Sequence, residues 1–184
     1  LTTLDSQYHP PNDIDLIRKT IFGEMHEEGH WPSGYYFGDA GGGANNLYPT
    51  IRRVGLGVAF YPIHNTGPAL FKMNFGLPGQ IQTVPRGELY ILCFTVNSLE
   101  PDSVITFYTD NKGVYDRYHG TSRDALDSTN GDLWLLLFTA LRVRNISLTV
   151  RWMPSHLDDP RCKKERPDWV LDWHISGNGA ADQM

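Results

Sequence analysis

The sequence predicts an α/β protein: a five-stranded mixed sheet, its first three strands antiparallel, with helices on both faces. Three observations predict it. Period-two patterning and glycine-bearing turns fill residues 34–76, helical spacing takes over after Pro85, and short apolar strands then alternate with helices. The 184 residues suffice for one core, and 40% apolar with 20% charged is an ordinary globular composition.

Each element has its own warrant. Asp13 as N-cap with Ile14, Ile17, Ile21 and Met25 predicts a helix, ended by Gly29 and Pro32, within an N-terminal extension over residues 1–33. An aromatic run leading into glycines (34–43) reads as a strand and a turn; Val54, Leu56, Val58 and Phe60 alternate as a half-buried strand. Residues 69–76 supply the third strand of a meander. Pro85 suits a first helical turn, followed by Leu89, Leu92, Cys93 and Val96 on one face. Residues 103–110 read as a strand, 111–120 as a helix closed by Gly120, 124–132 as a polar loop, 133–144 as an apolar helix and 146–154 as the last strand. Residues 155–174 read as an inserted loop, with Ser176 capping a final helix that is expected to be cut short.

Composition excludes several classes. No apolar run reaches the ~20 residues that span a bilayer, so no membrane partner is expected. Cys93 and Cys162 make neither a disulfide framework nor a four-ligand zinc pattern, which favours an intracellular setting, and Cys93 reads as a core residue. A net charge of −5 argues against holding nucleic acid by bulk electrostatics. Any such role must rest on local basic patches or on metal ions.

Four carboxylates stand at informative places. Asp39 and Asp110 close strands, Glu88 lies in the first turn of a helix, and Asp182 lies on the final helix one turn after Asn178. An acid at a buried strand's end is exposed at the sheet rim on a rigid backbone, which is what a metal site needs. Converging carboxylates repel and raise one another's pKa; magnesium removes that penalty, and a pair of such ions suits phosphodiester cleavage.

The segments YFGDAGGG (36–43), GLGVAFY (55–61), QTVPRGELYIL (82–92), FYTDNKGVYD (107–116), WMPSHLDD (152–159) and HISGNGAADQM (174–184) resemble the ribonuclease H family in its order, especially domains attached to non-LTR retrotransposon reverse transcriptases. The resemblance implies a ribonuclease H-like domain over 34–184 that hydrolyses the RNA strand of an RNA–DNA hybrid. It implies two Mg²⁺ ions, replaceable by Mn²⁺, held by Asp39, Glu88, Asp110 and Asp182. His156 matches the mobile-loop histidine that shuttles protons, Asn178 a polar neighbour of the site, and Thr83 a residue gripping a DNA-strand phosphate. Hybrid recognition would use backbone around Gly41 and Gly42, Asn111 beside Asp110, and Tyr118 and Trp134 as stacking or core residues. Arg151, Lys163, Lys164 and Arg166 read either as phosphate neutralisers or as a solvated charge run.

The sequence also departs from the family. Val84-Pro85 replace polar residues that touch the hybrid in many cellular members, the loop between His156 and Asn178 is longer than in common bacterial and retroviral forms, and no basic Trp-rich protrusion lies between Asp116 and Asp132. Substrate is therefore expected either to be delivered by a linked domain, such as a reverse transcriptase, or to be bound weakly. Three other readings stand beside this one: a catalytically inactive interaction module, a same-fold nuclease acting on DNA, and a zinc hydrolase built on the H-E-x-x-H of residues 26–30.

Overall fold

The structure, a computed structural model, describes residues 18–64 and 67–182. Its centre is a mixed sheet of β1 (Thr20–Gly23), β2 (Gly34–Gly41), β3 (Gly55–Tyr61), β4 (Phe71–Gly76), β5 (Val104–Thr109) and β6 (Ser147–Trp152). In space the order is β1-β4-β3-β2-β5-β6. β1 through β4 pair antiparallel, while β5 lies parallel to both β2 and β6. The sheet thus has six strands where the sequence predicted five.

The sixth strand comes from the expected N-terminal helix. Asp13, Ile14 and Ile17 lie outside the described residues, but Ile21 sits in β1 against Met73 of β4. Thr20-Ile21-Phe22 is β-branched and aromatic, and an unpaired sheet edge offers such a segment hydrogen bonds that helical spacing cannot match. The rest of the 18–33 segment is tied in through Trp31, which is fully buried, stacks on Tyr36 and donates its indole N–H to His26 O at 3.0 Å.

Helices cover both faces. On one lie α1 (Val84–Ser98) and α4 (Gly131–Val143), closing the larger core around Tyr36, Leu56, Val58, Phe60, Leu89, Ile91 and Phe107. On the other lies α5 (Asp172–Asp182), over a second core of Phe37, Ala59, Tyr61, Tyr108, Met153, Val170 and Ala181. Strict alternation along β2 sends Tyr36 and Ala40 to the first face and Phe37 to the second. The polar stretch 121–132 begins with a one-turn helix, α3 (Ser122–Leu126), after α2 (Lys112–His119). Thr121 caps α3 by accepting from Asp124 N at 3.1 Å, a local device with no hydrophobic period to announce it. The last helix also starts earlier than expected. It begins at Asp172, so Ser176 lies inside it rather than at its cap.

Candidate metal centre

Three elements deliver three acids to one point. Asp39 stands near the end of β2, Glu88 in the first turn of α1, and Asp110 immediately after β5. One carboxylate oxygen from each lies within 4.8 Å of the others, the only His, Cys, Asp and Glu cluster of metal-holding geometry among the described residues. Asp182, at the end of α5, lies beside the Asp39 carboxyl, close enough to raise its pKa, and His156 Nδ1 stands 3.6 Å from Asp182 Oδ2. The Asn178 side chain lies beside Asp110 and favours its ionised form. Residues from both ends of the chain therefore meet at one rim of the sheet.

Packing explains how they come so close. Gly57 sits opposite Asp39 in the β2–β3 ladder, and a Cβ on it would fall 1.9 Å from Ala181 O. Gly177 likewise leaves room for the Phe37 ring. These two glycines let α5 settle onto the sheet, which carries Asp182 to Asp39. On the other face Gly87 seats the first turn of α1 against Val54, Ala40 and Leu56, bringing Glu88 forward. Gln82 pins that approach: its carbonyl accepts from Val54 N at 2.9 Å and its amide donates to Leu77 O at 2.8 Å. Arg86 clamps α1 to α4 by two hydrogen bonds to Asp132, 2.9 and 2.6 Å long. The Trp152 indole donates to Asp110 O at 3.0 Å, fixing that backbone. Beneath the acids, Phe37 and Tyr108 stack at 4.6 Å, each two residues before its carboxylate. The sequence alone did not mark Gly57, Gln82, Gly87 or Trp152 as parts of the site; only the small residue inside an apolar strand hinted at Gly57.

The electrostatics are those of an unneutralised cluster. Burial, then repulsion from Asp110, push the Asp39 carboxyl up to about 7, and its contact with Asp182 adds to this. Burial lifts Glu88 well above its usual range, with Asp39 and Asp110 adding repulsion. Burial also raises Asp110, opposed by the Asn178 amide and by His156. Glu88 Oε2 and Asn178 Oδ1 are buried without a hydrogen-bond partner. Orphaned acceptors and all-oxygen donors are what a hard divalent cation satisfies, so these residues fit magnesium or manganese.

The other expected contacts sort into several kinds. Thr83, the N-cap of α1, and Asn111, the N-cap of α2, share a groove with Arg52, Arg117 and Asn130 beside the acids' rim. Gly41 ends β2, and Gly42 is buried with Asn46 filling the space its side chain would need. Trp134 is 3% exposed and belongs to the core, and Tyr118 packs against that core with its hydroxyl donating to Leu148 O at 3.0 Å. Trp134 thus reaches the groove of Thr83 and Asn111 only at its lining, and Tyr118 is half-buried. Arg151 lies 4.0 Å over the Trp169 ring, and Arg166 binds Asp172 and Val170 O, so both brace the loop. The H-E-x-x-H segment is not helical: residues 24–27 are irregular, 28 and 29 form a turn, and Gly29 has φ +92°. His26 and His30 share no helical face, which removes the zinc-hydrolase reading.

No family model matches the chain, and no curated protein matches it. Solved structures do. A type 1 ribonuclease H with a type 2 active-site motif, LC9-RNase H1, superposes with a TM-score of 0.55 at 15% identity, over 82% of this chain and 72% of that one. The chain has the ribonuclease H fold. The RNase H domain of prototype foamy virus matches with a TM-score of 0.51 at 12% identity, over 82% and 90% of the two chains. The same virus's protease-reverse transcriptase matches at 0.56 and 14%, over 89% of this chain but 21% of that longer one. At these identities the ribonuclease H fold is what is shared, while the carboxylate cluster is this chain's own geometry.

Proposed function

We propose that this chain is a metal-dependent endonuclease that hydrolyses the RNA strand of RNA–DNA hybrids. One observation carries the reading: Asp39, Glu88 and Asp110, from β2, α1 and β5, converge within 4.8 Å on the rim of a ribonuclease H fold. Buried carboxylates this close are costly unless a cation compensates them. Asp39, Glu88, Asp110 and Asp182 would hold two Mg²⁺ ions, with Mn²⁺ able to substitute. When bound, such a pair neutralises the scissile phosphate and eases ionisation of an attacking water.

The chain's own groups do the rest. Asp39, rigid on β2, would hold the ions together with Glu88, Asp110 and Asp182. The Asn178 side chain, beside Asp110, favours its ionised form. His156, its side chain 60% exposed on its loop and next to Asp182, would pass protons to and from the reacting groups. Thr83 and Asn111 would position the hybrid from their shared groove, with the backbone at Gly41 and Gly42 as a further contact. Hydrolysis would leave a 5′-phosphate and a 3′-hydroxyl. A linked reverse transcriptase domain, in the manner of retroelement proteins and in an intracellular setting, is the natural source of substrate.

The test is cleavage of three labelled duplexes, hybrid, RNA–RNA and DNA–DNA, with and without Mg²⁺. Cutting of the hybrid's RNA strand in Mg²⁺ alone is expected. Cutting of DNA would move the chain to a different nuclease class, and inactivity on every duplex would leave an interaction module.

A further inference from the structure

The loop between β6 and α5 concentrates charge of both signs, its cations standing among Asp158, Asp159, Glu165 and Asp168. Four of its sixteen Lys and Arg residues fall within residues 161–166, in a protein of net charge −5. The loop is anchored at both ends. Met153 and Val170 are fully buried in the second core, the Trp152 indole bonds Asp110 O, and Arg166 binds Asp172 across the start of α5. Between these anchors the chain is folded back by hydrogen bonds from Asp159 N to His156 O at 3.1 Å and from Cys162 N to Asp159 O at 2.8 Å.

That folding sorts the four cations. Arg161 is committed to Asp159 through contacts of 3.0 and 2.9 Å, and Arg166 to Asp172 and Val170 O. Lys163 makes no ion pair among the described residues, and Lys164 bonds only neutral groups, Ser155 O and Oγ. Both lysines line a cavity of about 600 Å³ with His156, Asp159, Arg161 and Cys162. His156 is shared between this cavity and the acid cluster, through Asp182. Lys164 is also near enough to act on Asp110.

Lys163 and Lys164 are exposed and make no ion pair among the described residues, and their pinned loop sets them beside the acid cluster, where a backbone phosphate would pair with both. We propose that Lys163 and Lys164 form a phosphate subsite for the cleaved strand, seating a backbone phosphate that neighbours the one at the acids. The inference rests on the nuclease reading and deepens it. It replaces bulk positive charge, which this chain lacks, with one local clamp whose seat next to His156 ties strand binding to proton transfer. Because the contact is to backbone, it holds the strand without reading its sequence.

The experiment compares the parent chain with Lys163→Ala and with Lys163→Ala/Lys164→Ala. Affinity for a labelled hybrid is measured by fluorescence anisotropy across a salt series, in an Asp110→Asn background that prevents cleavage, and cleavage kinetics are measured separately. Each lost phosphate contact is expected to flatten the dependence of log affinity on log salt by about 0.9, so the double variant loses about 1.8. In the cleavage assay KM should rise roughly tenfold at low salt with kcat within about twofold. Lys163→Ala leaves the Lys164–Ser155 bracing intact, so its effect separates binding from loop shape. An unchanged salt slope in both variants overturns the proposal. A parent that binds through these lysines yet cleaves nothing would overturn the nuclease reading and leave the subsite standing.

Discussion

The site has two halves built on opposite physical terms. Asp39, Glu88 and Asp110 sit on sheet and helix, and Asp39 and Glu88 are only 7% and 4% exposed. Asp182 and His156 sit at a helix end and on a loop, with side chains 43% and 60% exposed. The first half has its backbone locked and its charges dehydrated, so it stores repulsion that a cation can release. The second is hydrated, at a helix end and on a loop. On the proposed reading the rigid half would define where the chemistry occurs, and the exposed half would govern proton and strand exchange.

Breaking the rigid half should cost most. Asp110→Asn keeps the fold and the Asn178 contact region but removes one cation ligand, and hybrid cleavage is expected to fall at least about a thousandfold. His156→Ala, in the exposed half, should lower kcat about a hundredfold without changing metal affinity. A smaller effect is expected from a residue that joins the halves. Gly57→Ala would place a Cβ against Ala181 O, shift α5 and move Asp182, so cleavage should drop between roughly ten- and a hundredfold. Retention of full activity in Gly57→Ala would show that Asp182 need not touch Asp39.

The subtlest contrast is in pH dependence without metal. Asp39 has a folded pKa of about 7 against a usual 3.8. Between those values the folded state holds the extra proton, so its stability falls as pH rises through that window and is flat outside it. His174 works the other way. Burial lowers it to about 4, so its share of stability is lost as pH falls from about 6.5 to 4. A comparison of Asp39→Asn with the parent isolates the acid cluster. At pH 7 and without divalent cations the variant should melt about 3 °C or more above the parent, with the gap vanishing at pH 4. Adding Mg²⁺ should raise the parent's Tm more than the variant's.

The two halves also differed in how readable they were. Asp39 and Asp110 stood out because a strand that ends on an acid before a turn is a local pattern, and the order of the strands and longer helices after residue 34 followed from period. The supports did not stand out. Gly57, Gly87 and Gln82 act through contacts with residues distant in sequence, which no spacing rule encodes. Ile21 fitted a helical stripe, and only the open edge of β4 drew it into a strand. In the loop, composition could not say which cations were spent internally. Arg151 over Trp169 and Arg166 on Asp172 needed coordinates to separate them from Lys163 and Lys164.

The central claim is that three converging acids, two of them buried, are built to hold a divalent cation. Calorimetric titration of the protein with Mn²⁺ at pH 7, in two buffers of different ionisation enthalpy, tests it without reference to cleavage. Saturable binding with net proton release is expected, because Asp39 and Glu88 give up protons to the ion, and Glu88→Gln should weaken it at least about tenfold. Binding that is absent, or that is unchanged by Glu88→Gln, would contradict the account.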